Sequence, residues 1–143
     1  MTPRVPMTIG SKILLSLNLF VYGGYLLSYA YSSLFPRIEI LSGQPYVWPL
    51  QYRVSFAAQA LLAALVVLGC IYYMVSKRRA GPQMVAFAVA IHAGMAIDAV
   101  ITSYPLMLEN GYTFRDAPAE IVLPSLIFAL AIANWRWCFR ACV

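Results

Sequence analysis

Four stretches of this chain are apolar for about the 20 residues that a helix needs to cross the hydrocarbon core of a membrane. They run over 13–35, 54–75, 84–108 and 117–139. Ser76-Lys77-Arg78-Arg79 ends the second run, and Glu109-Asn110-Gly111 ends the third as a turn signal. Pro118 suits the first turn of the fourth, where a missing N–H costs little. None of the runs alternates with period two, and four strands are too few to close a barrel. The expected fold is therefore all-α, a polytopic four-helix transmembrane bundle forming a single domain over 1–143. Outer loops at 36–53 and 109–116 and a tight cytoplasmic turn at 76–83 would connect the helices.

Composition excludes the alternatives. Hydrophobic residues make up 62% of the chain and charged residues 10%, whereas soluble domains run near about 45–50% and about 25%. So few charges cannot cover the surface of a water-soluble fold, and a disordered chain or a coiled coil fails on the same arithmetic. The net charge of +5 does not point to nucleic acid, because the basic residues cluster at the ends of apolar runs.

Those clusters set the expected orientation. Arg4, Lys12, Lys77, Arg78, Arg79, Arg136 and Arg140 fall on one side, against Arg37, Arg53 and Arg115 on the other. The richer side reads as cytoplasmic, with both termini inside. The first run reads as a retained anchor, since Gly23-Gly24 interrupts a stretch too long for a cleaved leader. The loop 36–53 should lie along the outer interface as a short hairpin with Tyr46, Trp48 and Tyr52 at headgroup level, and Trp135 and Trp137 should form the inner aromatic belt. Cys70, Cys138 and Cys142 all fall toward the reducing side and read as small buried apolar residues rather than a disulfide framework. The one-turn spacing of Cys138 and Cys142 leaves a metal or acyl group as the alternative.

The informative residues are polar ones inside the runs: Asn18, Gln59, His92, Asp98 and Asn134. With a rise of about 1.5 Å per residue, Asn18, His92 and Asn134 come to about 7, 12 and 10 Å above the inner edge. They are expected to share one layer. Asp98, about 20 Å above that edge, and Gln59, about 7 Å below the outer one, are expected to share another. Asn18, Tyr22, Tyr25 and Tyr29 follow one helical stripe, which would bring the tyrosines toward Asp98. Ala86, Ala90, Gly94, Asp98 and Thr102 form a second stripe, of small residues around one acid, and Gly24, Ser28 and Ser32 form a similar row. Small-residue rows let backbones approach, so helices one and three should pack tightly, with Asp98 facing Tyr25, Tyr29 or Gln59. His92 lies about 120° around the helix from Asp98, which excludes a direct pair and turns it toward another helix or a partner subunit. Pro105 frees the carbonyl of Ile101, which Thr102 or Ser103 would satisfy, and opens the bundle outward.

An ionised acid at this depth costs at least about 2.5–3.5 kcal/mol, so Asp98 must pair, hydrogen-bond, meet water or take up a proton. For Asn18, Gln59, His92 and Asn134, interhelical hydrogen bonding is the preferred reading. A lone histidine cannot supply both ligands of a bis-histidine haem. No nucleotide loop, HExxH or GxSxG motif is present, and no soluble domain could house water-phase chemistry. Neither catalysis by this chain alone nor a resident cofactor is expected, although a lipid or quinone could occupy the polar site.

The Trp48 loop, the basic turn Lys77-Arg78-Arg79-Ala80-Gly81-Pro82, Asp98 in the third run and the terminal Asn134-Trp135-Arg136-Trp137 together resemble a family of small four-helix bacterial inner-membrane proteins. That family has no established activity, so the resemblance implies architecture only; the expected location is a bacterial inner (plasma) membrane. Three functions fit. The preferred one is a non-catalytic integral subunit or assembly partner of a larger membrane complex, contacting other membrane chains and phospholipid but no nucleic acid. The second is a small proton or solute carrier, or a lipid or quinone binder, using Asp98 and the tyrosine stripe. The third is an immunity protein against a pore-forming toxin.

Overall fold

The computed structural model describes residues 7–35, 38–41, 44–47, 50–109 and 119–142. It consists of α1 (Ile9–Leu34), β1 (Ile38–Leu41), β2 (Gln44–Val47), α2 (Leu50–Ser76), α3 (Ala80–Glu109) and α4 (Ala119–Cys142). All four helices are long and apolar enough to cross a membrane. The strands pair antiparallel, Ile38 opposite Val47 and Leu41 opposite Gln44, as a hairpin between α1 and α2. Trp48, Pro118 and residues 110–118, which hold most of the second expected loop, lie outside the described residues.

The first helix, α1, begins ahead of its hydropathic run, where a side-chain cap forms. Thr8 starts α1: its Oγ1 accepts from Ser11 N at 3.2 Å, and Ser11 Oγ donates to Thr8 O at 2.8 Å. At the far end Arg53 reaches from α2 to α1. Its Nε donates to Ser33 O at 3.1 Å and its Nη2 to Leu34 O at 3.0 Å, satisfying carbonyls that a helix terminus leaves without partners. The α2–α3 turn closes on Lys77, whose backbone is left-handed (φ 55°). Lys77 N donates to Tyr73 O at 2.9 Å, and its ammonium lies 5.8 Å from the Tyr73 ring centroid. These contacts oppose the cost of a left-handed non-glycine residue.

Consecutive helices pack side by side, and α1 meets α4 only briefly. The expected tight packing of α1 on α3 does not occur: among the described residues these helices lie diagonally across the bundle. The close approach lies instead between α2 and α3. A Cβ on Gly81 would sit 2.5 Å from Tyr73 Cβ and 2.8 Å from the Gly69 carbonyl oxygen, and one on Gly69 would sit 2.9 Å from Val85 Cγ2. By contrast, a Cβ on Gly23, Gly24 or Gly94 would meet nothing within 4 Å. The short turn forces α2 and α3 into adjacency, and the glycines nearest that turn set their distance.

Packing is uneven along the axis. Leu15, Tyr22, Val66, Cys70, Tyr73, Val85, Val89, Leu130 and Trp137 belong to one core, concentrated at the end that carries Lys77, Arg78 and Arg79. Trp137 is only 9% exposed and meets Tyr73 edge-on at 5.1 Å, so it plugs this core rather than joining an aromatic belt. Trp135 is exposed, as a belt residue would be. Toward the hairpin end no residue of α3 beyond Ala93 is buried among those described, and the bundle opens.

Candidate functional site

The polar residues divide into three groups along the axis. Deepest in the packed half, Asn18 and Asn134 are both fully buried and exchange amide hydrogen bonds: Asn18 Nδ2 donates to Asn134 Oδ1 at 2.8 Å, and Asn134 Nδ2 donates to Asn18 Oδ1 at 3.0 Å. Asn134 Nδ2 also donates to Leu130 O at 2.8 Å within its own helix. His92 does not join this pair. One turn along α1, its Nδ1 lies 3.3 Å from the Tyr22 hydroxyl, with both residues buried.

His92 is held by the tyrosine stripe of α1. Its ring meets Tyr22, Tyr25 and Tyr29 edge-on, with centroids 5.6, 5.4 and 6.0 Å away. Tyr25 and Tyr29 stack at 5.2 Å and 2°, and Tyr29 stacks in turn on Phe56 of α2 at 6.1 Å. Edge-to-face contacts suit a ring with a positive edge and negative faces, so the cluster fixes His92 from several directions. Because Tyr22 engages Nδ1, Nε2 is the imidazole's remaining polar atom.

Above this cluster lies a cavity of about 550 Å³. Tyr25, Tyr29, Gln59, His92 and Asp98 all line it, together with Tyr52, Ser55 and Thr102. Met95, Leu123, Pro124 and Ile127 supply apolar wall. Of the eight polar residues that sequence reasoning singled out, five border this space, while Asn18, Tyr22 and Asn134 lie beneath it. Its size falls in the roughly 300–1,000 Å³ range of small-molecule sites.

Asp98 departs from expectation. It borders the cavity but is exposed rather than packed against Tyr25, Tyr29 or Gln59. Among the described residues its carboxylate makes no hydrogen bond or ion pair, and only its backbone carbonyl is engaged, by Thr102 Oγ1 at 2.8 Å. Thr102 also reaches Ala99 O at 3.2 Å, so it does not serve the Ile101 carbonyl freed by Pro105. Gln59, half-buried, donates from Nε2 to Ser55 Oγ at 3.3 Å within α2. The expected small-residue face of α3 is likewise uncovered, since Ala90, Gly94 and Thr102 are exposed and only Ala86 is buried.

Sequence reasoning missed Tyr52, Ser55, Leu123 and Pro124 as lining residues. Their positions on α2 and α4 carried a signal: they stand at the hairpin-side ends of those helices, level with Asp98. Pro124 lies inside α4 and Pro105 inside α3, so both walls contain a residue that cannot donate its backbone N–H. Among the described residues no group of three histidine, cysteine or acidic side chains is placed to hold a metal ion. Comparison of the chain with family models, curated proteins and solved structures finds no match.

Proposed function

We propose that this chain is a multi-pass protein of a bacterial plasma membrane that holds a small amphipathic molecule in the cavity at its hairpin end. Its termini and the Lys77-Arg78-Arg79 turn would face the cytoplasm, which puts the cavity in the outer half of the bilayer. The observation that carries this reading is the gathering of Tyr25, Tyr29, Gln59, His92 and Asp98 from three helices around one open space above a tightly packed floor. A bundle stabilised only by interhelical glue has no need to keep such a space, because empty volume forfeits packing contacts. Native mass spectrometry of the purified protein tests it. The wild type should carry a discrete small-molecule adduct, and filling the cavity with Ala96→Phe should remove the adduct while the fold is kept. A wild type that carries only annular lipid contradicts it.

A second reading, a non-catalytic subunit or assembly partner of a larger membrane complex, is favoured by a different observation. On α3, Ala90 and Gly94 are exposed, and a Cβ at Gly94 meets nothing within 4 Å. Small residues on a membrane helix mark surfaces where another helix can approach closely. Blue-native electrophoresis in mild detergent should then show a heteromeric band, and a homogeneous lone monomer counts against it.

A further inference from the structure

We infer that the ligand class of this cavity is an amphipathic monovalent cation, such as a quaternary ammonium or phosphonium with an aromatic or alkyl body. The inference rests on the proposed binding role and adds to it the charge of the ligand.

Three observations converge on a cation. The first is the unmatched charge. Among the described residues that line the cavity, Asp98 and His92 are the ones with an ionisable acid or base other than tyrosine, and no described side chain partners the Asp98 carboxylate. A lone carboxylate within the membrane-spanning part of a helix is costly, and a bound cation offsets that cost where a neutral ligand does not. The second is the disposition of Arg53, a basic residue at the hairpin-side end of α2. Arg53 adjoins the lining residue Tyr52 in sequence, but its guanidinium is turned away to Ser33 O and Leu34 O at 3.1 and 3.0 Å. It therefore closes the end of α1 instead of neutralising Asp98. The third is the wall itself. Tyr25, Tyr29 and Tyr52 line the same space as Asp98, and aromatic rings with a carboxylate nearby are the side chains that recognise a weakly hydrated cation. Met95, Leu123 and Ile127 give the organic body of such a cation an apolar surface.

An anion would meet Asp98 with no compensating lysine or arginine among the described lining residues. A neutral quinone would find donors at His92 and the tyrosine hydroxyls, but would leave the carboxylate as uncompensated as before. Charge complementarity thus separates the three classes.

The test uses two probes of nearly identical shape and opposite charge, tetraphenylphosphonium and tetraphenylborate. Binding to the full chain in a neutral detergent is measured by calorimetry against protein-free micelles. The wild type should bind the phosphonium at least about tenfold more tightly than the borate. Asp98→Asn, at an exposed position and so without consequence for folding, should erase that preference. Tyr29→Phe should keep phosphonium binding, whereas Tyr29→Leu should weaken it by about fivefold or more, with thermal unfolding confirming that each variant is folded. Equal binding of both probes, or a preference that survives Asp98→Asn, overturns the cation assignment. Absence of phosphonium binding also overturns it. In both cases the proposed binding role stands if the native adduct is present and falls with it if that adduct is absent.

Discussion

Asn18 and Asn134 join two helices that otherwise scarcely meet, through reciprocal amide hydrogen bonds of 2.8 and 3.0 Å in a fully buried setting. Each helix in the series α1, α2, α3, α4 packs on its neighbour, so the α1–α4 seam is the one that closes the ring. A polar pair buried at that seam specifies which faces meet, because sliding either helix strands an amide.

Replacing either asparagine alone by alanine should cost about 1–3 kcal/mol, since the other amide is left buried and unpaired. The double change Asn18→Leu with Asn134→Leu should cost much less. A double-mutant cycle, read by denaturation in mixed micelles, should give a coupling between about 0.6 and 1.7 kcal/mol. Additive single effects would show that the pair carries no coupling.

The α2–α3 contact gives a sharper contrast. At Gly81 the obstruction includes the Gly69 carbonyl, which is backbone and cannot swing aside. Gly81→Ala should force the helices apart and destabilise by about 1–3 kcal/mol, the range for overpacking. Gly24→Ala should stabilise by about 0.5–1 kcal/mol, because the site is open and alanine favours the helix. Thermal unfolding of the two variants should move in opposite directions.

Tyr22→Phe removes the hydroxyl that lies 3.3 Å from His92 Nδ1 while keeping the ring contacts. The expected cost is about 1 kcal/mol, that of one net hydrogen bond. His92→Ala should cost about 2–5 kcal/mol, in the range for truncating a large buried side chain, because three tyrosine rings lose their common neighbour. Similar costs for the two variants would mean that the hydrogen bond, not the aromatic packing, fixes the imidazole.

The four long apolar helices were legible because crossing length and hydropathy are local properties of the chain. The meeting of Asn18 with Asn134 was foreshadowed by their similar depth, an estimate that needs only the rise per residue. Neighbour choice was not legible. Small residues at Gly24 and Gly94 announce that a backbone can approach, not which one does, and the tight approach went to Gly69 and Gly81 because a short turn had already brought their helices together. Trp137 illustrates the same limit. An indole near a helix end suits either a headgroup belt or a core, and only the position of Tyr73 decides for the core.

Arg53 should prove irreplaceable by lysine. A guanidinium reaches Ser33 O and Leu34 O with two separate nitrogens, and an ammonium has no such fork. Arg53→Lys and Arg53→Ala should both loosen the α1 end by about 0.5–1.5 kcal/mol per lost bond. Amide exchange near residue 35 should accelerate locally, with no change at the α2–α3 turn.

The most direct test of a membrane-crossing bundle with an accessible carboxylate in its outer cavity is thiol accessibility on α3. With Cys70, Cys138 and Cys142 replaced by alanine, Asp98→Cys is compared with Ile97→Cys and Ile101→Cys in intact cells. All three native positions are exposed in the isolated chain, but only Asp98 borders the cavity. A charged, membrane-impermeant thiol reagent should modify the variant at 98 and spare those at 97 and 101. Equal protection of all three would place the carboxylate against acyl chains and contradict the cavity, and equal modification of all three would contradict the membrane crossing itself.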